Sequence, residues 1–594
     1  MRAFGYPAEL AFKLSKRLHR AGCRDGIAIL QGGLAAAQGF DLTDPRAQAV
    51  LTAMAGFDEL PRLRSTHPGG FVLSAAPLGS HLPIESTSMG RTIIQFDKDD
   101  LDSLGIPKFD FLGLGGLAAV RRAFDAIEAR TGTSFSMYRL PTDDAATYEM
   151  ISQGDTIGTF QIESRAQIAS ILHTRPELLY DIVVQVALIR PGPIQAKFVH
   201  PYTKRRRGQE AVTYLHPALE PILARTQGIP IFQEQAMAIA MALGNYTAAE
   251  ADLLRRTMGH QRKRHRLIEA LEQLRTRLVS NDIGQEVADR IAEDLVSFAN
   301  YGFPESHAWS FALIAYATAF LKRHYPTEFL LGLLNAQPMG FYPIATLIND
   351  ARRAGVVVTG PCLRDGAADC TVEVERQDGW QSVSGTKAAN GLPLRLRLGW
   401  RFVRGIGDQA LEELTRVRQL HPFRGIDDVV HRARLRRSDA TALSRAGAFG
   451  AWEQDRRKAA WEALRHVGDR LPLAPASPIA HSPRKLRKTE GVFLDYFAMG
   501  TSLAGHPMEH LRSRLAEAGV LDSRHLAKAR HGEEVIMGGL VVARQRPESA
   551  NGVLFILLED EFGFLNAIVR REVELAYREV TRQAPFLLIL GRIQ

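Results

Sequence analysis

Between residues 117 and 335 apolar side chains recur every three or four positions, through AAVRRAFDAIEAR, DDAATYEMI, RAQIASIL, QEQAMAIAMAL, AAEADLLRRTM and HRLIEALEQLRTRL. That period lines one face of a helix and cannot line one face of a strand, whose side chains alternate. A large helical body is predicted over this stretch. Two helix starts are marked, by Thr142-Asp143-Asp144 and by Thr247 with Glu250 three residues on, the spacing of a capping box. The most apolar run, 308–321, contains Ser310 and Thr318 and stops at Lys322-Arg323-His324. It falls short of the ~20 residues a membrane span takes, so it reads as a buried helix and no membrane partner is expected.

The flanks have other rhythms. Residues 1–60 read as short helices with glycine breaks, and 66–114 as strands and turns, with HPGGFVL, TIIQFD and KFDFLGL between Gly, Pro and Asp. A strand-like patch at 355–361 precedes a polar loop, 364–392, and then short helices over 394–448 that alternate with Gly405-Ile406-Gly407 and Ala446-Gly447-Ala448. Residues 467–490 look like a linker, and the last sixty return to strands of a small barrel or sandwich. At about 100–200 residues per domain, 594 residues make three to five units of an α+β multidomain chain. With 45% hydrophobic residues, wholesale disorder is excluded. Cys23, Cys362 and Cys370 form no metal-ligand or disulfide pattern, and the amino terminus has no continuous apolar region. Both point to the cytoplasm.

A formal charge of +9 favours a polyanionic partner, and the charge is clustered in Lys204-Arg205-Arg206-Arg207 and in 260–266. A nucleic-acid contact and a solvated basic face both fit these runs. Gly405-Ile406-Gly407 before a helix could turn backbone N–H groups toward a phosphate; a plain helix-connecting turn is the simpler reading. Asp97, Asp99, Asp100 and Asp102 read as a solvated turn. Asp110 differs: flanked by Phe109, Phe111 and Leu112 on a buried-looking strand, it needs a partner, and a metal is a good one. Arg255 and Arg256 suit triphosphate oxygens or ion pairs, and Tyr301, Phe303 and His307 suit stacking on a nucleotide or core packing.

Taken in order, HPGGFVLS, QFDKDDLDSLGIPKFDFLGL, GTFQIESRAQ, ALIRPGPIQ, PIFQEQAMAIA, EADLLRRTMG, YGFPESHAWSFALIAY and FLKRHYPTEF resemble the bacterial C-family DNA polymerases, the family of the DNA polymerase III alpha subunit. HPGGFVLS, VHPYTKRRRGQ and LLNAQPMGFYPIATLINDARRAG are similar to its error-prone, damage-induced branch. The resemblance implies a helical thumb remnant over 1–60, a partial nucleotidyltransferase-type palm over 61–116, large helical fingers over 117–345 and a helix-hairpin-helix region over 346–466. A linker and helical segment follow over 467–530, and a terminal OB-fold-like β barrel over 531–594.

It further implies a DNA-directed DNA polymerase of the translesion type acting on primer-template DNA and dNTPs with Mg2+, assisted by a sliding clamp and mutagenesis accessory proteins. Asp110 matches a metal-binding catalytic aspartate and Lys108 its catalytic neighbour. Arg255, Arg256, Tyr301 and His307 match nucleotide-binding positions, and Gly405 and Gly407 a DNA-backbone hairpin; the basic run Lys204 to Arg207 is taken with them as DNA-binding. The family carries two further aspartates in an upstream Asp-x-Asp strand, and this sequence begins after them. The expectation is therefore a carboxy-terminal portion that binds primer-template with little polymerase activity alone. The alternative is a non-catalytic DNA-binding or complex-assembly fragment.

Overall fold

The computed structural model describes residues 1–593 except 19–21, 59, 61–65, 68, 88–89, 112, 191–198, 258–263, 300–302, 377–378, 383–391, 469–482, 527 and 547–552. The chain divides into two compact units, Met1–Gly113 and Leu114–Gln594.

In the first unit, helices Ala8–Arg17 (α1), Cys23–Ile29 (α2) and Pro45–Gly56 (α3) close over a small core of Leu14, Leu30, Phe40, Val50 and Leu51. Asp44 caps α3 by accepting from the Arg46 N–H, and Pro45 occupies the first helical position, where a missing N–H costs nothing. Strands Gly70–Val72 (β1), Ile84–Ser86 (β2), Thr92–Ile94 (β3) and Lys108–Asp110 (β4) follow, with helix Lys98–Ser103 (α4) before the last. They pair antiparallel as β1 with β4 and β2 with β3.

The second unit opens with the helical body. Its helices are Leu114–Thr131 (α5), Ala145–Ser152 (α6), Arg165–Thr174 (α7), Leu179–Leu188 (α8), Val199–Arg206 (α9), Gln233–Gly244 (α10), Ala248–Thr257 (α11), Arg264–Ser280 (α12) and Gln285–Ala299 (α13). Glu305–His324 (α14), Pro326–Asn335 (α15) and Ile344–Arg353 (α16) complete it. Both expected caps form: Asp144 accepts from the Thr147 N–H at 2.9 Å, and Thr247 and Glu250 cap each other's backbone at 2.8 and 3.3 Å. The apolar run expected to be a buried helix is the centre of α14, with Ala308, Ala312, Ala315, Tyr316, Ala319 and Leu321 buried. No helix among the described residues is long and apolar enough to cross a membrane.

The polar loop expected over 364–392 is corrected in part. Thr371–Arg376 (β6) and Gly379–Ser382 (β7) form a hairpin there, joined by Val357–Thr359 (β5) and Leu394–Arg397 (β8) in the order β5-β8-β6-β7. The polar composition hides a two-residue period: Val372 and Val374 are buried on one face. Glu373, on the other, is buried as well because Arg395 (2.6 Å) and Arg397 on β8 both pair with it.

Helices Asp408–Leu420 (α17), Ile426–Arg432 (α18), Arg437–Arg445 (α19), Arg456–Arg465 (α20) and Lys488–Met499 (α21) come next. The carboxy-terminal strands Val520–Leu521 (β9), Glu534–Gln545 (β10), Leu554–Glu559 (β11), Phe564–Val569 (β12) and Phe586–Arg592 (β13) make a half-barrel sheet in the order β12-β11-β10-β13, with β9 parallel to β10. Two short helices, Arg571–Ala576 and Arg578–Gln583, interrupt what was expected to be strand throughout.

A chain of charges joins the helical body to this sheet. The buried Lys322 ammonium donates to Asp155 (2.6 Å), Asp350 (2.8 Å) and the Ile157 carbonyl (3.1 Å); Arg353 then lies 3.6 Å from Asp350 and 3.1 Å from Glu559 of β11. Burial pushes the Glu559 carboxyl up to about 7 from 4.5, against the pull of Arg353. Between those values the folded chain holds a proton that the unfolded chain has released. The associated stability is therefore full below about pH 4.5 and is lost as pH rises to about 7, a swing of about 3 kcal/mol. Glu559→Gln has no such titration. In urea melts its stability relative to the parent should improve steadily across that window; parallel pH profiles would contradict the assignment.

Candidate nucleic-acid interface

In the first unit, β1 and β4 align Gly70 with Asp110, Phe71 with Phe109 and Val72 with Lys108. One side of this two-stranded sheet then carries Lys108 and Asp110, and the other the phenylalanines, with Phe71 stacked on Phe109 (5.7 Å) and Phe111 (5.3 Å). The expectation of a buried strand is corrected: all three residues of β4 are exposed, and the Asp110 side chain keeps 36% of its surface. Its partners are Lys108, 2.8 Å from one oxygen, and His67, whose Nδ1 is 3.4 Å from the other. Gly70 makes this possible, since a Cβ there would lie 2.8 Å from both Asp110 Oδ1 and His67 Nδ1. His67 was missed by sequence reasoning, although the glycines that follow it in HPGG signal a close backbone approach.

Magnesium prefers six oxygen ligands, most of them carboxylate, water or phosphate. The surroundings of Asp110 supply one carboxylate, an ammonium and an imidazole, and no group of three or more His, Cys, Asp or Glu that could hold a metal occurs among the described residues. These residues do not fit a magnesium ion by themselves. The neighbouring acids are helix-capping groups: Asp97 accepts from the Asp100 N–H (3.0 Å) and Asp100 from the Asp97 N–H (3.1 Å), which starts α4. The Asp99 side chain lies outside the described residues.

In the helical body, Arg255 and Arg256 of α11 share one carboxylate. Their Nε atoms donate to the two oxygens of Asp252 at 2.9 and 2.8 Å, and the hydrogen bond from Arg255, with that from Arg256, holds Asp252 below the usual carboxylate range against its desolvation. His307 on α14 sits between Phe303 (5.0 Å) and Phe311 (4.2 Å), and Phe160 continues the row at 5.3 Å from Phe311. Burial, with a smaller push from the Arg190 charge, lowers the basicity of His307. Tyr301 lies outside the described residues, as does most of the second basic cluster, 260–263 with the side chains of 264–266.

The guanidinium groups of the first basic cluster have partners within the protein. Arg205 binds Glu210 (2.9 Å) and the Gln227 carbonyl (2.9 Å), Arg206 binds Asp181 (2.7 Å), and Arg207 donates to the His173 carbonyl (2.8 Å). Three guanidinium groups thus tie α9 to its neighbours, because fixed carboxylates and helix-end carbonyls lie within reach of each fork. Lys204, beside them on α9, is half-buried.

Gly405 has φ +88°, a left-handed conformation that favours glycine, and Gly407 is the residue before α17. The Gly407 N–H is met by the buried Asp439 of α19 at 3.3 Å, so the protein itself supplies a carboxylate at this helix start. Asp439 also accepts from the Arg436 N–H at 3.3 Å, capping its own helix, so one carboxylate serves the starts of α17 and α19.

The comparisons with known proteins agree with this layout. Residues 1–113 match the bacterial DNA polymerase III alpha NTPase domain, 116–282 the bacterial DNA polymerase III alpha subunit finger domain, and 355–459 a helix-hairpin-helix motif. Residues 1–113 and 116–282 are thus similar to domains of the bacterial DNA polymerase III alpha subunit. Over most of its length it is about 40% identical to proteins named Error-prone DNA polymerase. One, from Pseudomonas aeruginosa, is 42% identical over 562 residues, 94% of this chain and 53% of that protein. Another, from Xanthomonas campestris pv. campestris, is 39% identical over 600 residues, 100% of this chain and 54% of its own length. The chain spans about half the length of the curated relatives it matches.

Proposed function

We propose that this chain is part of a DNA-directed DNA polymerase of the error-prone, damage-induced type, which transfers a nucleotide from a dNTP to a primer 3′-hydroxyl. The observation that carries the reading is the ordered succession of polymerase III alpha matches and a helix-hairpin-helix motif along one chain whose relatives bear that name. In this account the β1–β4 sheet is part of a nucleotidyltransferase-type palm, 117–345 are the fingers, and the half-barrel is OB-fold-like. Lys108 and Asp110 face the reacting primer end. Arg255 and Arg256 exchange Asp252 for triphosphate oxygens by the same forked hydrogen bonds, and His307, with Tyr301, holds the nucleotide. Gly405 faces duplex phosphates and the Gly407 N–H exchanges Asp439 for one of them, with Lys204 adding charge. DNA polymerases generally use divalent metal ions; the described residues around the palm supply one candidate ligand, Asp110. The partners are primer-template DNA, a sliding clamp and accessory proteins, in the cytoplasm.

A second reading, a DNA-binding module without chemistry, is favoured by the way Lys108 neutralises Asp110. Both readings require the purified chain to bind a primer-template duplex through several phosphate contacts. Affinity should fall roughly 10³-fold between about 50 and about 200 mM salt. Weak binding with a flat salt response would remove both. Magnesium-dependent extension abolished by Asp110→Asn would select the first.

A further inference from the structure

Arg190 follows α8 and is fixed on two sides. Its Nε donates to the Val186 carbonyl at 3.3 Å, and its guanidinium lies over the Phe303 ring at 4.4 Å. The group is half-buried, and desolvation lowers its affinity for its proton. Yet among the described residues no carboxylate pairs with it. Other arginines of the helical body differ. Arg205 is paired with Glu210, Arg206 with Asp181, Arg225 with Glu305 and Arg277 with Glu250.

Ordering and desolvating a cation without a counter-charge is unfavourable unless an anion arrives to meet it. The outer nitrogens of the fork are the donors left for that anion. A planar fork pre-set by a ring and a carbonyl suits the paired oxygens of a phosphate. The row of Phe303, His307, Phe311 and Phe160 running from it offers ring faces for the nucleoside that a nucleotide phosphate brings.

We infer that Arg190 is a nucleotide-phosphate contact, separate from the Arg255–Arg256 pair, with the aromatic row on α14 beside it. The inference rests on the polymerase reading above and names a residue of its substrate site. The phosphate belongs either to a free nucleoside triphosphate or to the backbone of a bound strand.

The test uses the full 594-residue chain with dATP, inorganic tripolyphosphate, an oligothymidylate and a primer-template duplex as separate probes. Arg190→Ala should weaken at least one phosphate probe by roughly 10-fold or more, the loss expected for a hydrogen bond to a charged group. Arg190→Lys, which keeps the charge without the fork, should recover only part of it. Loss confined to dATP and tripolyphosphate assigns the site to a free nucleotide; loss confined to the oligothymidylate or duplex assigns it to a strand. Arg225→Ala, whose guanidinium is already held by Glu305, should bind every probe as the parent does. Unchanged binding of all four probes by a cooperatively melting Arg190→Ala overturns the inference while leaving the polymerase reading intact. An equal loss in Arg225→Ala overturns it too. A parent chain that binds neither duplex nor triphosphate removes both.

Discussion

Lys322→Ala should lower the stability of the second unit by about 3 kcal/mol, the low end for breaking a buried ion pair, since Asp155 is half exposed. Burial disfavours the ammonium, but Asp350 and Asp155 outweigh it and raise its proton affinity above the usual lysine value. Removing it leaves the largely buried Asp350 with Arg353 alone, 3.6 Å away, while the half-exposed Asp155 turns to water. Lys322→Met keeps the stem but not the charge, and should be nearly as damaging, because the loss lies in the uncompensated acids rather than in packing. Urea melts at neutral pH read this directly. A Lys322→Ala chain that unfolds at the parent's midpoint would show that the three groups are not coupled as the distances indicate.

Trp400→Ala is the second large effect. Trp400 is the largest fully buried side chain, and its indole N–H donates to the Cys362 carbonyl at 2.8 Å. It stands between the β5–β8 sheet and the hairpin that carries Gly405 and Gly407. Truncation should cost about 3–5 kcal/mol, chiefly through the cavity, since the Cys362 carbonyl still accepts from the Gly366 N–H at 2.8 Å. Because the lost packing lies next to the hairpin, duplex affinity should fall with it even where the rest of the chain stays folded. Trp400→Phe, which refills most of the volume, should recover much of the stability. Equal affinity for all three proteins under native conditions would separate the hairpin from DNA binding.

What the sequence shows on its own follows from how local each feature is. The helical body was legible because its period persists through many turns, and its caps because Asp144 and Thr247 act within three residues of themselves. The Arg255–Arg256 pair was legible as helix-surface geometry, in which carboxylates and guanidinium groups three or four apart meet, whereas the acids expected in a solvated turn instead start and run through α4. The hairpin of β6 and β7 was not, because its polar face is buried by arginines on another strand. Nor was the fate of Arg205, Arg206 and Arg207. A run of four basic residues has the same composition whether it faces solvent or reaches a helix end brought close only by folding. The Lys322 triad spans elements far apart in the chain, and the contact of His67 with Asp110 depends on a strand register that no local pattern reports.

The central claim is that this chain grips primer-template DNA through its helix-hairpin-helix region. Hydrogen exchange of the full chain with and without a primer-template duplex tests it most directly. The account predicts slowed exchange at the Gly405–Gly407 turn and the first turn of α17, lost when salt releases the duplex. Tight, salt-sensitive binding with no protection anywhere in 355–459 would contradict it.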